Sequence, residues 1–324
     1  MGDNPRNGKP AVRATDYYDY AKRRAIDVDK HGCQLADWED RYGTASFARH
    51  PDGFLVFLPP WEINPSDEYS GADPYAVESG LEGDFQRRRV QCTLELVRTA
   101  VQRLGGGARI LDLGCGQGHI TSKLREALPE AEIAGLDYSI SAITYANKKF
   151  PGIDFIVASA YQCPYRPSYF DIVLCNNLWE HVPDPLLLLS KIGRVMNPRG
   201  FLIISTPSRY RWGNLVNVIR GKPIQFMSEH HVTEYSVGQV IEQLRYGGFE
   251  VLRCYSKPYK SENLKFEVAK KLFSLFASVT GSHHQLESTV FYLAQRVEKG
   301  LGNGSANLEL KQPSVAARPE MGMQ

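Results

Sequence analysis

The chain has 324 residues, which is enough for one large domain with additional segments. Hydrophobic residues account for 43% and charged residues for 23% of the chain, and this ordinary globular composition excludes a wholly disordered protein. With 38 Lys and Arg against 36 Asp and Glu, the chain lacks the positive surplus typical of phosphate-backbone binders, so nucleic acid is disfavoured as a partner.

The two ends of the chain are predicted to lie outside the regular fold. Residues 1–83 combine many aromatic side chains with turn-forming Pro and Gly, which indicates an N-terminal cap whose first residues are disordered. Residues 299–324 are predicted to be a disordered tail. We expect a cytoplasmic protein, because no apolar run resembles a signal peptide or a transmembrane helix.

The cysteines indicate reduced thiols and no metal centre. No two of them have the CxxC spacing of zinc sites or redox pairs, so we predict no metal site. The six are Cys33, Cys92, Cys115, Cys163, Cys175 and Cys254.

Helices and strands are predicted to alternate from Asp84 onward. Asp84 is a good N-cap, and apolar side chains follow it at helical spacing. This alternation predicts an α/β fold with a Rossmann-like, doubly wound and mostly parallel sheet. The predicted strands are 109–113, 132–136, 154–158, 170–175 and 201–205, with predicted helices at 119–128, 139–150, 185–196 and 236–246.

The C-terminal part of the predicted domain is less regular. Insertions are predicted near 207–232 and 258–282, and the last two strands at 249–255 and 286–295. Because no regular crossover helix is predicted between these strands, they should form an antiparallel edge. We therefore expect a seven-stranded sheet with an antiparallel edge strand, in a domain that spans residues 84–298.

A glycine-rich turn after the first of these strands predicts a cofactor site. Gly114, Gly116 and Gly118 occupy alternate positions, where the absence of Cβ atoms lets the backbone approach a ligand. Asp137 ends the next strand, where a carboxylate accepts both hydrogen bonds of a ribose diol. Dinucleotide sites normally have G-x-G-x-x-G, whereas this turn has G-x-G-x-G. Asp112 beside the turn disfavours a pyrophosphate and suits the ammonium and sulfonium of S-adenosylmethionine.

Four stretches are similar to the successive motifs of class I methyltransferases, in particular the broad group that contains the quinone-biosynthesis type. They are ILDLGCGQG, GLDYS, FDIVLCNNLWEHVPDP and GFLIISTP, and the similarity covers residues 108–295. The resemblance implies S-adenosylmethionine as the cofactor, with its methionine part at the glycine turn and its ribose at Asp137. It also implies that Tyr138 takes the adenine-flanking position, that Ser159 replaces the family's usual acidic residue near the adenine, and that Asn176 contacts the amino-acid end. The implied cofactor-binding residues are Asp112, Gly114, Cys115, Gly116, Asp137, Tyr138, Ser159, Ala160 and Asn176.

Two histidines are candidate catalytic residues. The pair Glu180-His181 matches a frequent pair of the family, and an imidazole with a pKa near neutrality can accept the proton of a substrate hydroxyl. The alternative is that His181 caps or packs the following helix. His231, next to His230, lies in a segment that often closes over substrate in this family. The alternative for His231 is a surface or structural role.

Three functions stay open on the sequence. The first is methylation, at oxygen, of a small molecule, a lipid or a lipid-linked saccharide. Methylation of RNA or protein is disfavoured by the balanced charge and by Asn176-Asn177-Leu178-Trp179 in place of an Asn-Pro-Pro-Tyr type motif. The third is a non-catalytic module that binds the cofactor. Residues 264–279 have an amphipathic pattern with a basic face, which indicates packing on the domain or peripheral contact with a membrane. No oligomeric state is predicted.

Overall fold

A computed structural model describes most of the predicted domain. The described residues are 41, 47–58, 62–63, 84–256, 268–269, 271–272, 275 and 288–297. The C-terminal tail, most of the N-terminal cap and most of the stretch 264–279 lie outside them. Among the described helices, none combines the length and apolarity that crossing a bilayer requires.

Strands and helices alternate as the sequence predicts. The strands are β1 (Ala48–Arg49), β2 (Leu55–Val56), β3 (Arg109–Leu113), β4 (Glu132–Asp137), β5 (Asp154–Val157), β6 (Phe170–Asn176), β7 (Met196–Pro207), β8 (Phe249–Tyr255) and β9 (Thr289–Arg296). The helices are α1 (Asp84–Leu104), α2 (His119–Ala127), α3 (Ile140–Lys149), α4 (Pro185–Val195), α5 (Trp212–Ile219) and α6 (Val237–Tyr246), with a 3-10 helix at Ala160–Gln162.

The strands form one sheet in the order β1-β2-β5-β4-β3-β6-β7-β9-β8. Strands β2 to β7 pair with one another in parallel, which brings their carboxyl ends to one edge of the sheet. A parallel sheet with helices on both faces confirms the predicted fold class. In such sheets ligands bind outside the carboxyl ends of the strands, so the candidate site is expected at that edge.

The sheet differs from the prediction in two details. It has nine strands instead of seven, because β1 and β2 come from the predicted N-terminal cap and extend the edge beside β5. The last two strands pair antiparallel at the edge as predicted, but β9 lies between β7 and β8, and β1 adds a second antiparallel strand at the opposite edge. The physical reason is burial: TVFYLA of β9 is buried on both faces, as an interior strand requires, whereas β8 is half-exposed and suits an edge.

The helices cover both faces of the sheet because successive strand residues point to opposite sides. Ile110 of β3 packs in a cluster with Leu96 and Val97 of α1. Its neighbour Leu111 packs in a second cluster with Leu188 of α4 and Val240 of α6, on the other face. These two buried layers fix the strand ends relative to one another, and thereby position the site.

Gly118→Ala is expected to destabilise the fold by about 1–3 kcal/mol. Gly118 has φ +76°, and a Cβ atom there would lie 2.7 Å from the ring of Phe155, which is buried in β5. Urea unfolding followed by circular dichroism measures the loss. Gly193→Ala in α4 is the matched control, since a Cβ there meets nothing within 4 Å and alanine favours a helix. Equal stability of the two variants would contradict the close approach of Phe155.

Candidate active site

The glycine turn joins β3 to α2 in a backbone conformation that side chains disfavour. Gly114, Gly116 and Gly118 have φ of 77°, 53° and 76°, in the left-handed region that favours glycine. The backbone N–H groups of Gly114 and Cys115 both donate to the carbonyl of Leu136 in β4, at 2.8 and 3.1 Å. The turn is therefore tied to the end of β4, directly beside Asp137.

Asp137 contacts the turn through its carboxylate. Its Oδ2 accepts a hydrogen bond of 2.7 Å from the backbone N–H of Gly116, and its Oδ1 accepts one of 2.9 Å from that of Ser139. Bonds from N–H groups to a carboxylate are strong and fix its orientation. Because each carboxylate oxygen has two lone pairs, these bonds are compatible with further bonds from a ribose diol. The structure thus brings together the two elements that the sequence predicts for one cofactor.

Asp112 lies beneath the turn and is buried. Its Oδ2 accepts a hydrogen bond of 2.7 Å from the hydroxyl of Thr121 in α2. Burial raises the pKa of Asp112 to about 6, although the Thr121 hydroxyl and the charge of Arg89 act to lower it. A positive ligand group near this carboxyl favours its ionised form.

Asn176 is the last residue of β6, and its side-chain amide is only partly hydrogen-bonded within the described residues. Its Oδ1 accepts hydrogen bonds from the Thr93 hydroxyl of α1, at 3.3 Å, and the Ser205 hydroxyl of β7, at 3.1 Å. Among the described residues, its buried Nδ2 has no hydrogen-bond partner. Leaving a buried donor unpaired costs about 1–3 kcal/mol. A ligand acceptor, such as the carboxylate of an amino-acid cofactor, would remove that cost.

The predicted adenine-side residues follow β4 and β5, whose ends are paired at Asp137 and Val157. Tyr138 is 48% exposed, and its hydroxyl donates to the backbone carbonyl of Glu62 at 3.0 Å. The Ser159 hydroxyl caps the 3-10 helix that begins at Ala160 by accepting from the N–H of Tyr161. The adenine role of these residues stays a prediction.

The two candidate histidines meet in space although they lie far apart in the sequence. The rings of His181 and His231 pack edge to face with centroids 5.0 Å apart. The backbone N–H groups of Val232 and Thr233 donate to the carbonyl of Glu180, which ties the segment after α5 to the turn after β6. Burial, and then the neighbouring His231, lower the pKa of His181 below its ordinary value.

Glu234 orients His231 and was not predicted from the sequence. Nδ1 of His231 lies 2.9 Å from Oε1 of the fully buried Glu234, which also forms an ion pair with Arg211. Burial alone raises the pKa of Glu234, but the hydrogen bonds from His231, Met227 and Arg211 outweigh it and hold the pKa below its usual range. An ionised Glu234 favours a proton on Nδ1 and leaves Nε2 as an acceptor. The three-residue spacing of His231 and Glu234 is the sequence signal that points to this pair.

Glu180 lies beside the two histidines, and Glu180, His181 and His231 together are called the histidine cluster below. Its side chain is buried, with Oε1 accepting from the Asn177 amide at 3.0 Å and Oε2 from the Thr206 hydroxyl at 3.0 Å. Burial raises the pKa of Glu180. Glu180, His181 and His231 each offer a ligand atom, and these three atoms lie within 4.8 Å of one another. The sequence pointed to the two histidines but gave the Glu180 side chain no role.

Comparisons with known proteins relate the central part of the chain to methyltransferases. Residues 104–246 match the family model described as a methyltransferase domain. The chain is 25% identical over 157 residues to a Mycolicibacterium smegmatis protein named as an S-adenosylmethionine-dependent methyltransferase, covering 48% of this chain and 58% of that protein. It is 30% identical over 136 residues to ubiquinone biosynthesis O-methyltransferase of Photobacterium profundum, covering 40% of this chain and 57% of that protein. It is 34% identical over 104 residues to trans-aconitate 2-methyltransferase of Methylobacterium nodulans, covering 32% of this chain and 40% of that protein.

Residues 104–246 are therefore similar to a methyltransferase domain, in agreement with the family that the motifs resemble. The matched residues 104–246 include the glycine turn, Asp137 and the histidine cluster. The alignments span only 40% to 58% of the length of these three relatives.

Proposed function

We propose that the chain transfers a methyl group from S-adenosylmethionine to an oxygen atom of a small molecule, a lipid or a lipid-linked saccharide. The contact between the Gly116 N–H and the Asp137 carboxylate carries this proposal, because it supports one site for both parts of an adenosyl amino acid. The catalytic domain is proposed to span residues 84–298, with the predicted cap and insertions bordering the acceptor.

The strand ends supply a group for each part of the cofactor. S-adenosylmethionine, when bound, supplies a methyl group activated by a sulfonium. Asp137 accepts hydrogen bonds from a ribose, and Tyr138, Ser159 and Ala160 border the adenine. The turn from Gly114 to Gly116 leaves room for the amino-acid end, and the unpaired Nδ2 of Asn176 donates to its carboxylate. The buried Asp112 supplies a negative charge near the turn, which attracts the positive ammonium and sulfonium groups of the cofactor.

The histidine cluster is assigned to the acceptor. A hydroxyl that receives a methyl group loses its proton, and transfer to a positioned group contributes about 10²–10⁴-fold to such reactions. His181 and His231 face each other, and Glu234 holds His231 in one orientation. We assign to this pair the handling of the acceptor's proton.

A labelled-methyl assay tests the function. The full chain is incubated with methyl-labelled S-adenosylmethionine and a panel containing a prenylated dihydroxybenzene, trans-aconitate, a polyprenyl-linked sugar and transfer RNA. Label is expected on an oxygen of one non-nucleic-acid acceptor. Cofactor binding without label transfer to any member of a broad panel would instead favour a non-catalytic module, and label on RNA would overturn the acceptor class.

The affinity for S-adenosylmethionine is expected to rise about 10-fold from pH 5 to pH 7. Because the pKa of Asp112 is about 6, its carboxyl is largely neutral at pH 5 and ionised at pH 7, where it attracts the positive cofactor. Isothermal titration at several pH values measures the change. Asp112→Asn should remove most of this dependence. A dependence that is unchanged in the variant would show that Asp112 does not act on the cofactor.

A further inference from the structure

Glu180, His181 and His231 form a cluster with the chemistry of a metal site. They contribute one carboxylate and two imidazoles, and one ligand atom from each lies within 4.8 Å of the other two. The sequence predicted no metal site, because the scattered cysteines lack ligand spacing and His231 lies far along the chain from the Glu180-His181 pair. The fold creates the cluster by returning the segment after α5 to the carboxyl end of β6.

The groups around the cluster orient these side chains as metal ligands. Glu234 accepts at Nδ1 of His231, so the lone pair of that ring lies on Nε2. A ligand histidine usually donates its other ring N–H to a carboxylate, a backbone carbonyl or water. Asn177 and Thr206 donate to the two oxygens of Glu180, which fixes this carboxylate in the same manner.

The charge balance favours a cation at this place. Glu180 is buried, and no Lys or Arg of the described part of the chain forms an ion pair with it. Arg211 instead pairs with Glu234. A buried carboxylate is costly unless it is paired, hydrogen-bonded or bound to a metal. The imidazoles of His181 and His231 add two nitrogen ligand atoms, and an imidazole binds a metal cation only in its neutral form.

We infer that Glu180, His181 and His231 bind a divalent first-row transition-metal ion, next to the proposed cofactor site. Imidazole nitrogens with one carboxylate suit Zn²⁺, Co²⁺, Fe²⁺ or Ni²⁺ better than Mg²⁺ or Ca²⁺, which prefer oxygen ligands. Three protein ligands leave an open position, which an acceptor hydroxyl can occupy. A cation there lowers the pKa of the hydroxyl, so that its proton can pass to solvent water while His181 and His231 act as ligands instead of bases. This last role in the reaction rests on the proposed function, whereas metal binding does not.

Cobalt titration of the full chain tests the site directly. The protein carries no histidine tag and is first treated with a chelator that is then removed. One equivalent of Co²⁺ is expected to bind with a visible absorption band and to raise the melting temperature. His181→Ala, His231→Ala and Glu180→Ala should each weaken Co²⁺ binding at least 100-fold, and Glu234→Gln should weaken it about 10- to 100-fold.

His230→Ala is the matched control, because His230 is adjacent in sequence but exposed. It should bind Co²⁺ like the wild type. Circular dichroism checks that each variant is folded, and His181→Asn, His231→Asn or Glu180→Gln replaces the corresponding alanine variant if it is not. Failure of the wild-type chain to bind one equivalent of Co²⁺ would overturn the inference. So would binding that survives in folded His181 and His231 variants.

The same protein separates this inference from the proposed function. S-adenosylmethionine binding and label transfer are measured after chelation. If both persist and Co²⁺ does not bind, the metal site is wrong and the methyltransferase proposal stands. If Co²⁺ binds through the cluster but the cofactor does not, the metal site stands and the methyltransferase proposal fails.

Discussion

Asp137→Ala is expected to lower the affinity for S-adenosylmethionine at least 100-fold. The carboxylate is proposed to accept two ribose hydrogen bonds, and a hydrogen bond to a charged group contributes about 1.5–3 kcal/mol. It also accepts from the Gly116 N–H, so its loss loosens the turn that borders the amino-acid end. At about 1.4 kcal/mol for each factor of ten, the two ribose bonds alone account for a 100-fold change.

Isothermal titration calorimetry at one pH measures this effect. Asp154→Ala is the matched control, because Asp154 begins β5 at the opposite end of the strands and pairs there with Arg41. That variant should bind the cofactor like the wild type. The affinity of Asp137→Asn should lie between those of the two alanine variants, since the amide has one acceptor oxygen and can accept well from only one of the two ribose hydroxyls. If Asp137→Ala bound S-adenosylmethionine with wild-type affinity, the cofactor site would not lie at the end of β4.

His231→Ala is expected to lower kcat about 10²–10⁴-fold on the acceptor found in the labelled-methyl assay, with little change in cofactor affinity. The substitution removes the imidazole that packs against His181 and leaves the buried Glu234 with Arg211 and the Met227 N–H as partners. The effect is expected whether the imidazole accepts a proton itself or holds a metal ion, because both act at the acceptor oxygen.

Steady-state kinetics with cofactor at saturation measure kcat, and His230→Ala serves as the control. That neighbouring side chain is exposed, so its loss should leave kcat unchanged. The kcat of Glu234→Gln should lie between those of His231→Ala and His230→Ala, because the neutral amide orients His231 less firmly than the carboxylate does. Unchanged kcat in a folded His231→Ala variant would mean that the cluster has only a structural role.

The central part of the fold was predictable because its signals are local. Each strand from β3 to β6, and the part of β7 from Phe201 to Ser205, is a short apolar run bounded by turn residues. The pairing of β9 between β7 and β8 was not predicted. This pairing depends on which neighbours a strand far along the chain can reach. The continuous apolar run of β9 is nevertheless typical of an interior strand. Strands β1 and β2, with two residues each, are too short to show any periodicity.

The candidate site divides in the same way. The glycine turn and Asp137 were predicted as a pair because each directly follows a recognisable strand, and the structure places them in contact. No sequence pattern predicts that His231 lies beside His181, because their contact depends on the path of the insertion that contains α5. The role of Glu180 was missed for that reason, since folding brings His231 near it. Glu234 was missed although it is only three residues from His231, because that spacing is a weak signal outside a helix.

A crystal structure of the chain with S-adenosylhomocysteine tests the account most directly. It should show both ribose hydroxyls hydrogen-bonded to the Asp137 carboxylate, and the amino-acid end over the turn at Gly116 within reach of Asn176 Nδ2. An adenosyl group bound at another edge of the sheet, or Asp137 without contact to the ribose, would contradict it.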